Sequence, residues 1–521
     1  MRLPTSNPTP PAPGPAPGSP ARRGVVLAVC CVSVLLVGID MTAVNLALPS
    51  IGRDFHAGVG GLSWIIDAYT LVLATFLMFS ASTADRIGRK LVFRTGLGTF
   101  VVGSALCAIA PSLGWLIAFR ALQGLGGSML NPVAMAILSS VYPKPADRAK
   151  AIGVWSGVIG LSLALGPIVG GALVDSPLGW RGIFLINLPI GLAAIAVATK
   201  VTPESKAAKP RKADPPGQTL IALTLAGLVF GVIEGPKLGW SSPAITIPLA
   251  VAAASLAGFL AVEFRRDEPL LDPRFFRSMP FSAANLIAVF SFASLGAFLY
   301  LNSIYLQEAR GYSPLDAGLL MLPLAAVSVL WGPRNGKILG KYGSRIPLLI
   351  AGTALTAAAV ILTQVSVTTP IVWLLVAYAL MGLGNSAVGA PITHTAVAGM
   401  PREQAGAAAG VSSATRQIGQ TVGVAVAGVT LAAAGTSHAA LATATHLGWT
   451  LNVGYGAAVL ILGLLSTTAW AKATAHGVAG IPPGDTPAPT PATTHTPTEP
   501  PATHANRPTP SAARSVRSAA R

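Results

Sequence analysis

The octapeptide "ALQGLGGS" at residues 121–128 returns as "ALMGLGNS" at 379–386, with six of eight positions identical and an offset of 258 residues. Two more matches fall at nearly the same spacing: the turn "DRIGRK" (85–90) against "GKYGSR" (340–345), offset 255, and Asn45 against Asn302, offset 257. A single spacing shared by separate matches marks a duplicated structural unit. Carried from the first long apolar stretch, which begins at residue 24, that spacing lands at residue 281, where another apolar stretch begins.

What the unit is made of follows from composition. The chain has 521 residues, 52% hydrophobic and only 10% charged, with a mean hydropathy of +0.63, which is too apolar for a soluble protein. A membrane-crossing helix needs about 20 predominantly apolar residues, and fourteen stretches between residues 24 and 470 qualify. The expected fold is therefore all-α and integral to the membrane. Residues 24–200 and 281–472 form two six-helix repeats, and 201–280 insert helices 7 and 8 between them. Units repeated after an even number of spans keep their orientation, which predicts a pseudo-two-fold axis along the membrane normal and a substrate site between the halves.

The ends differ in character. Residues 1–23 and 473–521 are rich in Pro, Thr, Ala and Ser, a composition that cannot build a core, and are expected to be disordered tails.

The formal charge of +17 raises the possibility of a nucleic-acid partner, and the placement of the charges removes it. Of 35 Lys and Arg, 29 fall in the N-terminus, the even-numbered turns and the tail; Arg53, Arg181, Lys237 and Arg310 lie in the opposite loops, and Arg120 and Arg416 within helices. That is the positive-inside pattern of a plasma-membrane protein with both termini cytoplasmic. The three cysteines, Cys30, Cys31 and Cys107, sit in apolar helices with no His or acid at ligand spacing, so no metal is expected. No GxxxxGK[ST] loop is present, and no catalytic residues or cofactor are predicted.

Of the 18 acids, only Asp40 and Asp67 lie well inside predicted spans. Each costs about 2.5–3.5 kcal/mol at a helix centre and so calls for a reason. By rise per residue, Asp40, Asp67 and the buried Arg120 fall at similar depths, about 8–12 Å from the outer ends of helices 1, 2 and 4. One reading is a structural ion pair; the other is proton exchange at a carboxylate whose charge a neighbouring cation tips. Offset 257 places Ala297 opposite Asp40, so the acid belongs to one half alone.

Over residues 24–470 the motifs resemble the major facilitator superfamily, and within it the fourteen-helix drug:proton antiporters. "IDMTAVNLALP" (39–49) is similar to that branch's helix 1 signature, and "ASTADRIGRK" (81–90) to the superfamily's cytoplasmic signature, with Ala81 in place of its first glycine. "FRALQGLGGSMLNP" (119–132) resembles the motif with a buried arginine, "GPIVGG" (166–171) the antiporter motif, and "WRGIFLINLPIG" (180–191) a family pattern read here as an interfacial anchor.

The resemblance implies proton-gradient-driven efflux of a hydrophobic drug, antibiotic or secondary metabolite by a monomer in the lipid bilayer, with Asp40, Asp67 and Arg120 in proton coupling. Asp85, Arg86, Gly88 and Arg89 would form a cytoplasmic latch in the first half alone, Gly340 replacing the acid in the second. Gly166, Pro167, Gly170 and Gly171 would form a bent small-residue face. Asp67, Asn45, Asn302, Asn385 and Arg416 are candidate cavity residues, and the acid at position 67 points to a cationic substrate. An uptake carrier for a small metabolite and a non-transporting sensor or scaffold are the rival classes.

Overall fold

The computed structural model describes residues 20–206, 214–266, 273–397, 405–431 and 438–479. Nearly all of them are helical, as expected where no water is available to satisfy backbone groups. The predicted tails fall largely outside the described residues.

Among the described residues fourteen helices have fifteen residues or more: α1 Pro20–Phe55, α2 Val59–Ile87, α3 Arg89–Ala108, α4 Leu113–Ser128, α5 Pro145–Val174, α6 Asn187–Val201, α7 Pro215–Leu238, α8 Pro243–Glu263, α9 Met279–Ile304, α10 Leu322–Tyr342, α11 Arg345–Leu362, α12 Ile371–Val397, α13 Ala405–Leu431 and α14 His438–Ser466. Among the described residues, twelve helical stretches are long and apolar enough to cross a membrane, and α5 contributes a shorter apolar stretch, Leu165–Val174. The molecule is thus an all-α, multi-span protein with about twelve membrane-crossing helices.

Prolines punctuate two of the spans. A proline lacks the N–H that an inner helical position must donate and is at home in the first turn. α4 therefore stops at Ser128 and resumes as Asn131–Val141 with Pro132 in its first turn, and α10 starts at Leu322, with Pro323 in its first turn, after the short helix Pro314–Leu320. Asp214 caps α7 by accepting from Gly217 N, at 2.9 Å.

Two groups of helices pack by the same pattern. α1 lies on α5, α2 on α4, and α3 on both α4 and α6; correspondingly α9 lies on α13, α10 on α12, and α11 on both α12 and α14. The groups meet where α1 faces α9, α2 faces α13, and α5 faces α10. Hydrogen bonds across this seam gather toward the Phe55 end of α1. Ser303 Oγ donates to the Asn45 carbonyl (2.5 Å), Gln307 Nε2 to the Leu46 carbonyl (3.0 Å), Leu315 N to Asp175 (2.9 Å), and Arg53 pairs with Glu308 (2.7 Å). α7 and α8 form a hairpin whose α7 covers the line where α2 meets α13, with Trp64 Nε1 donating to Glu234 at 3.0 Å.

The two turns matched by sequence share a backbone feature. Gly88 and Gly343 occupy corresponding places and have φ of +131° and +70°, a region open to glycine and costly for other residues. A positive φ is common to both turns although the acid is present in one.

Candidate functional site

Asp40 is completely buried on α1, and both of its carboxylate oxygens accept hydrogen bonds. Arg120 Nη1 donates to its Oδ2 at 2.5 Å, Gln123 Nε2 to its Oδ1 at 2.9 Å, and Asn187 Nδ2 to the same Oδ1 at 3.3 Å. Arg120 is satisfied in turn: its Nη1 also donates to Gln123 Oε1 (2.6 Å), its Nε to the Ile65 carbonyl (3.1 Å), and its guanidinium lies 4.2 Å from the centre of the Tyr69 ring. Gln123 therefore bridges both members of the ion pair, and its Nε2 reaches Ser104 Oγ as well, at 2.8 Å.

The local sequence makes this possible. The glycines of "ALQGLGGS" and its neighbours allow helices to touch: a Cβ on Gly103 of α3 would lie 2.8 Å from Gln123 Cα, and one on Gly124 of α4 would run into the Tyr69 backbone of α2. Gln123 and Arg120 are thus held against α3 and α2 at the depth where α1 brings Asp40.

Asp67 stands apart from this cluster. It lies about 200° around α2 from both Ile65 and Tyr69, the two residues that hold Arg120, at 3.6 residues per turn. Its side chain is fully buried, and neither carboxylate oxygen has a hydrogen-bond partner among the described residues. It interacts electrostatically with the buried Tyr300 of α9, and one turn along, Thr70 Oγ1 meets Thr421 Oγ1 of α13 at 2.6 Å. The structure therefore brings Asp40 and Arg120 together and turns Asp67 away from them, toward the seam.

The remaining candidates are dispersed. Arg416 Nη2 donates to the Gly389 carbonyl (3.1 Å) and to Thr393 Oγ1 (2.8 Å), both on α12, while its Nε is buried without a partner. Asn45 and Asn385 each donate Nδ2 to the carbonyl four residues earlier, Met41 (2.9 Å) and Met381 (3.0 Å), leaving Asn45 Oδ1 buried and unpartnered. Asn302 accepts from the Tyr378 hydroxyl, and its Nδ2 has no partner. Among the described residues no hydrogen bond joins these asparagines to one another.

The charged turn after α2 closes on its own neighbourhood. Asp85 pairs with Arg89 at 2.8 Å, Arg89 Nη1 reaches the Ala136 carbonyl at 3.4 Å, and Arg86 is exposed. A Cβ on Gly88 would strike the carboxylate of Glu204, which accepts from Lys90 N at 3.1 Å. The small-residue run on α5 touches two partners: Gly166 and Gly170 press on Thr42 and Ala43 of α1, while Gly171 presses on Pro314 and Leu315, and Gly318 lies against the Pro167 carbonyl.

Sequence reasoning missed three members of the Asp40 cluster: Gln123, Ser104 and Asn187. "WRGIFLINLPIG" serves as an anchor only in its first part, where Trp180 Nε1 and Arg181 Nη1 both donate to Asp54 at 2.9 Å. Its Asn187 reaches Asp40. Gln123 was signalled in the repeat itself, being one of the two octapeptide positions that differ, with Met381 opposite. Among the described residues no three His, Cys, Asp or Glu converge at metal-binding distance.

Residues 30–424 match the Major Facilitator Superfamily. The multidrug resistance protein Stp of Mycobacterium tuberculosis (strain CDC 1551 / Oshkosh) is 35% identical over 398 residues, covering 76% of this chain and 74% of that protein. The tetracenomycin C resistance and export protein of Streptomyces glaucescens is 35% identical over 421 residues, 80% and 77% of the two chains. The multidrug efflux pump LfrA of Mycolicibacterium smegmatis (strain ATCC 700084 / mc(2)155) is 34% identical over 413 residues, 79% and 81%. In fold, the chain is similar to a bacterial homolog of the human lysosomal transporter Spinster, solved in an inward-facing, unoccupied conformation, with a TM-score of 0.60 at 19% identity over 90% of this chain and 100% of that one.

Proposed function

The chain belongs to the Major Facilitator Superfamily, as a secondary transporter related to known efflux pumps and resistance proteins, and we propose that it is a proton-coupled exporter of a hydrophobic drug or antibiotic. The observation that carries this reading is the buried, hydrogen-bonded ion pair of Asp40 and Arg120 within the first helix group. A proton arriving at Asp40 Oδ2 displaces Arg120 Nη1. Arg120 keeps the Ile65 carbonyl, Gln123 Oε1 and the Tyr69 face, all neutral, so α1 and α4 lose one of their two bonds and the cation loses its counter-charge, an imbalance that favours rearrangement. From Asp40 a packed path leads to the seam: α1 rests on the glycines of α5, and those glycines rest on Pro314–Gly318.

The finer architecture belongs to the same reading. All fourteen long helices cross the membrane, residues 24–200 and 281–472 being the repeats, 201–280 the insert, and both termini lying in the cytoplasm. The seam bonds near Phe55 then close the outer face, and transport rocks the two halves about a central site. The molecule works as a monomer in the plasma membrane. Export rather than uptake is supported by the "GPIVGG" face and by relatives known as an export protein and an efflux pump. Asp67, buried without a partner beside the seam, serves as the carboxylate that receives a cationic substrate or shares the coupling proton.

The test uses inverted membrane vesicles with an imposed proton gradient. Asp40→Asn is expected to abolish proton-driven drug accumulation while the protein remains folded and inserted; undiminished accumulation removes Asp40 from coupling. A second reading is favoured by the completeness of the Asp40 hydrogen bonds, namely that the pair is structural and Asp67 alone couples. In that case Asp67→Asn abolishes transport of neutral and cationic compounds alike.

A further inference from the structure

Away from the seam, the surface between α1 and α6 is recessed into a groove with a volume of about 510 Å3. Every side chain lining it is apolar, with Val25, Ala28 and Val32 on one wall and Pro189, Ala193 and Val197 on the other. From Pro189 to Val197, eight residue steps along α6, it runs about 12 Å along the helix axes, the length of a segment of acyl chain.

One end of this slot is charged. Arg22 lies one turn below Val25 and is exposed; its Nε donates to the Val201 carbonyl at 3.0 Å, which draws the foot of α1 to the foot of α6 across the groove's mouth. Lys200 is exposed beside Val201, and Arg23 adjoins Arg22 with its carbonyl held by the Tyr142 hydroxyl at 3.0 Å. The first turn of α1 contains these two arginines and no acid, a placement that the helix dipole disfavours and that a nearby anion would relieve. Glu204, the nearest acid along the chain, is turned to the N–H groups of Lys90 and Ser205 at 3.1 and 3.2 Å.

An apolar slot at bilayer depth with cations at the interfacial end matches an amphiphile of one polarity. We propose that the groove binds an anionic phospholipid from the leaflet on the N-terminal side of the membrane, one acyl chain lying between α1 and α6 and the phosphate meeting Arg22 and Lys200. Basic positions at the membrane surface attract such headgroups by about 1 kcal/mol each. The lipid would brace α6 against α1, and α6 carries Asn187, whose amide reaches Asp40. Binding itself does not rest on the transport reading, since the groove and its charges are present whatever crosses the membrane.

The experiment loads the purified full chain with phosphatidylglycerol or phosphatidylcholine and counts retained lipid by native mass spectrometry. Phosphatidylglycerol is expected to be retained preferentially. Arg22→Gln/Lys200→Gln should lower that preference by about thirtyfold, the equivalent of about 1 kcal/mol for each cation. Ala193→Phe, at an exposed wall position, should fill the slot and release both lipids without moving the thermal midpoint. Equal retention of the two lipids by the unaltered chain, an unchanged preference in the double variant, or full retention in Ala193→Phe would each overturn the proposal. If the double variant does not fold, Lys200→Glu alone serves, with a reduced phosphatidylglycerol preference expected and an unchanged one decisive against.

Discussion

Asp40 and Asp67 are the same chemical group, buried to the same degree on neighbouring helices, and the protein treats them in opposite ways. Asp40 receives three side-chain donors, one of them its ion-pair partner Arg120. Among the described residues Asp67 receives none. A buried carboxylate without partners is costly, and a protein that spends three polar side chains on one acid has the means to satisfy a second. The difference separates two tasks: the first acid is held in a set position on α1, and the second is kept available at the seam between the helix groups.

The comparison is broken or sharpened first at Arg120. Removing one member of a buried, satisfied pair leaves the other stranded, at a cost of about 3–5 kcal/mol. Arg120→Ala should therefore lower the thermal midpoint of the purified protein more than any other single change in the site. Asp40→Asn/Arg120→Gln, which removes both charges and keeps hydrogen-bonding capacity, should recover a large part of that loss. Failure to recover would mean that Arg120 acts through Tyr69 and Ile65 rather than through Asp40.

Gln123 comes next, because it donates to Asp40 and accepts from Arg120 at once. Gln123→Met copies the residue opposite it in the second octapeptide, keeps the length of the side chain, and leaves Asp40 Oδ1 with Asn187 alone. A cost of about 1–3 kcal/mol is expected for the unsatisfied group, read as a lowered midpoint accompanied by slower transport. No change in either would reduce Gln123 to a packing residue.

How much of this was legible in the sequence depends on the kind of signal each residue leaves. That the chain is a multi-span bundle of helices could be read because apolar length is written directly in the chain. Asp40, Arg120 and Asp67 could be read because a charge within an apolar stretch is conspicuous. Which of the acids meets Arg120 could not, since all three were placed by depth and the answer lies in rotation: Ile65 and Tyr69 face Arg120 and residue 67 faces elsewhere. Ser104 and Asn187 were illegible for another reason, as an uncharged polar residue in a membrane helix most often serves helix contact and nothing local distinguishes one that touches an acid. The octapeptide register also refines the counterpart of Asp40. At offset 258, Asp40 corresponds to Phe298 and Arg120 to Tyr378, and those two rings pack edge to face with centroids 5.4 Å apart. Where one group holds an ion pair the other holds an aromatic pair, and the hydroxyl of Tyr378 goes to Asn302.

Asn187 tests the rim of the Asp40 cluster. Its two contacts, to Asp40 Oδ1 and to Ser104 Oγ, are both 3.3 Å long, beyond the range of the stronger bonds around it. Asn187→Ala should cost about 0.5–1.5 kcal/mol, less than Gln123→Met. A larger loss would show that Asn187, rather than Gln123, fixes the orientation of the carboxylate.

The smallest stability change is expected at the acid that looks most costly. Asp67→Asn removes a buried ionisable group and breaks no hydrogen bond described in the structure, so the thermal midpoint should stay where it is or rise. Transport should nevertheless suffer, with cationic compounds losing export while neutral ones keep it if the carboxylate receives substrate, or with both lost together if it carries the proton. A fall in stability as large as that of Arg120→Ala would contradict both, because it would mean that Asp67 has a structural partner and that the two acids differ less than their surroundings indicate. The sign of the midpoint shift at position 67, set beside the fall at position 120, therefore decides whether the protein keeps an unpaired acid in its interior for use.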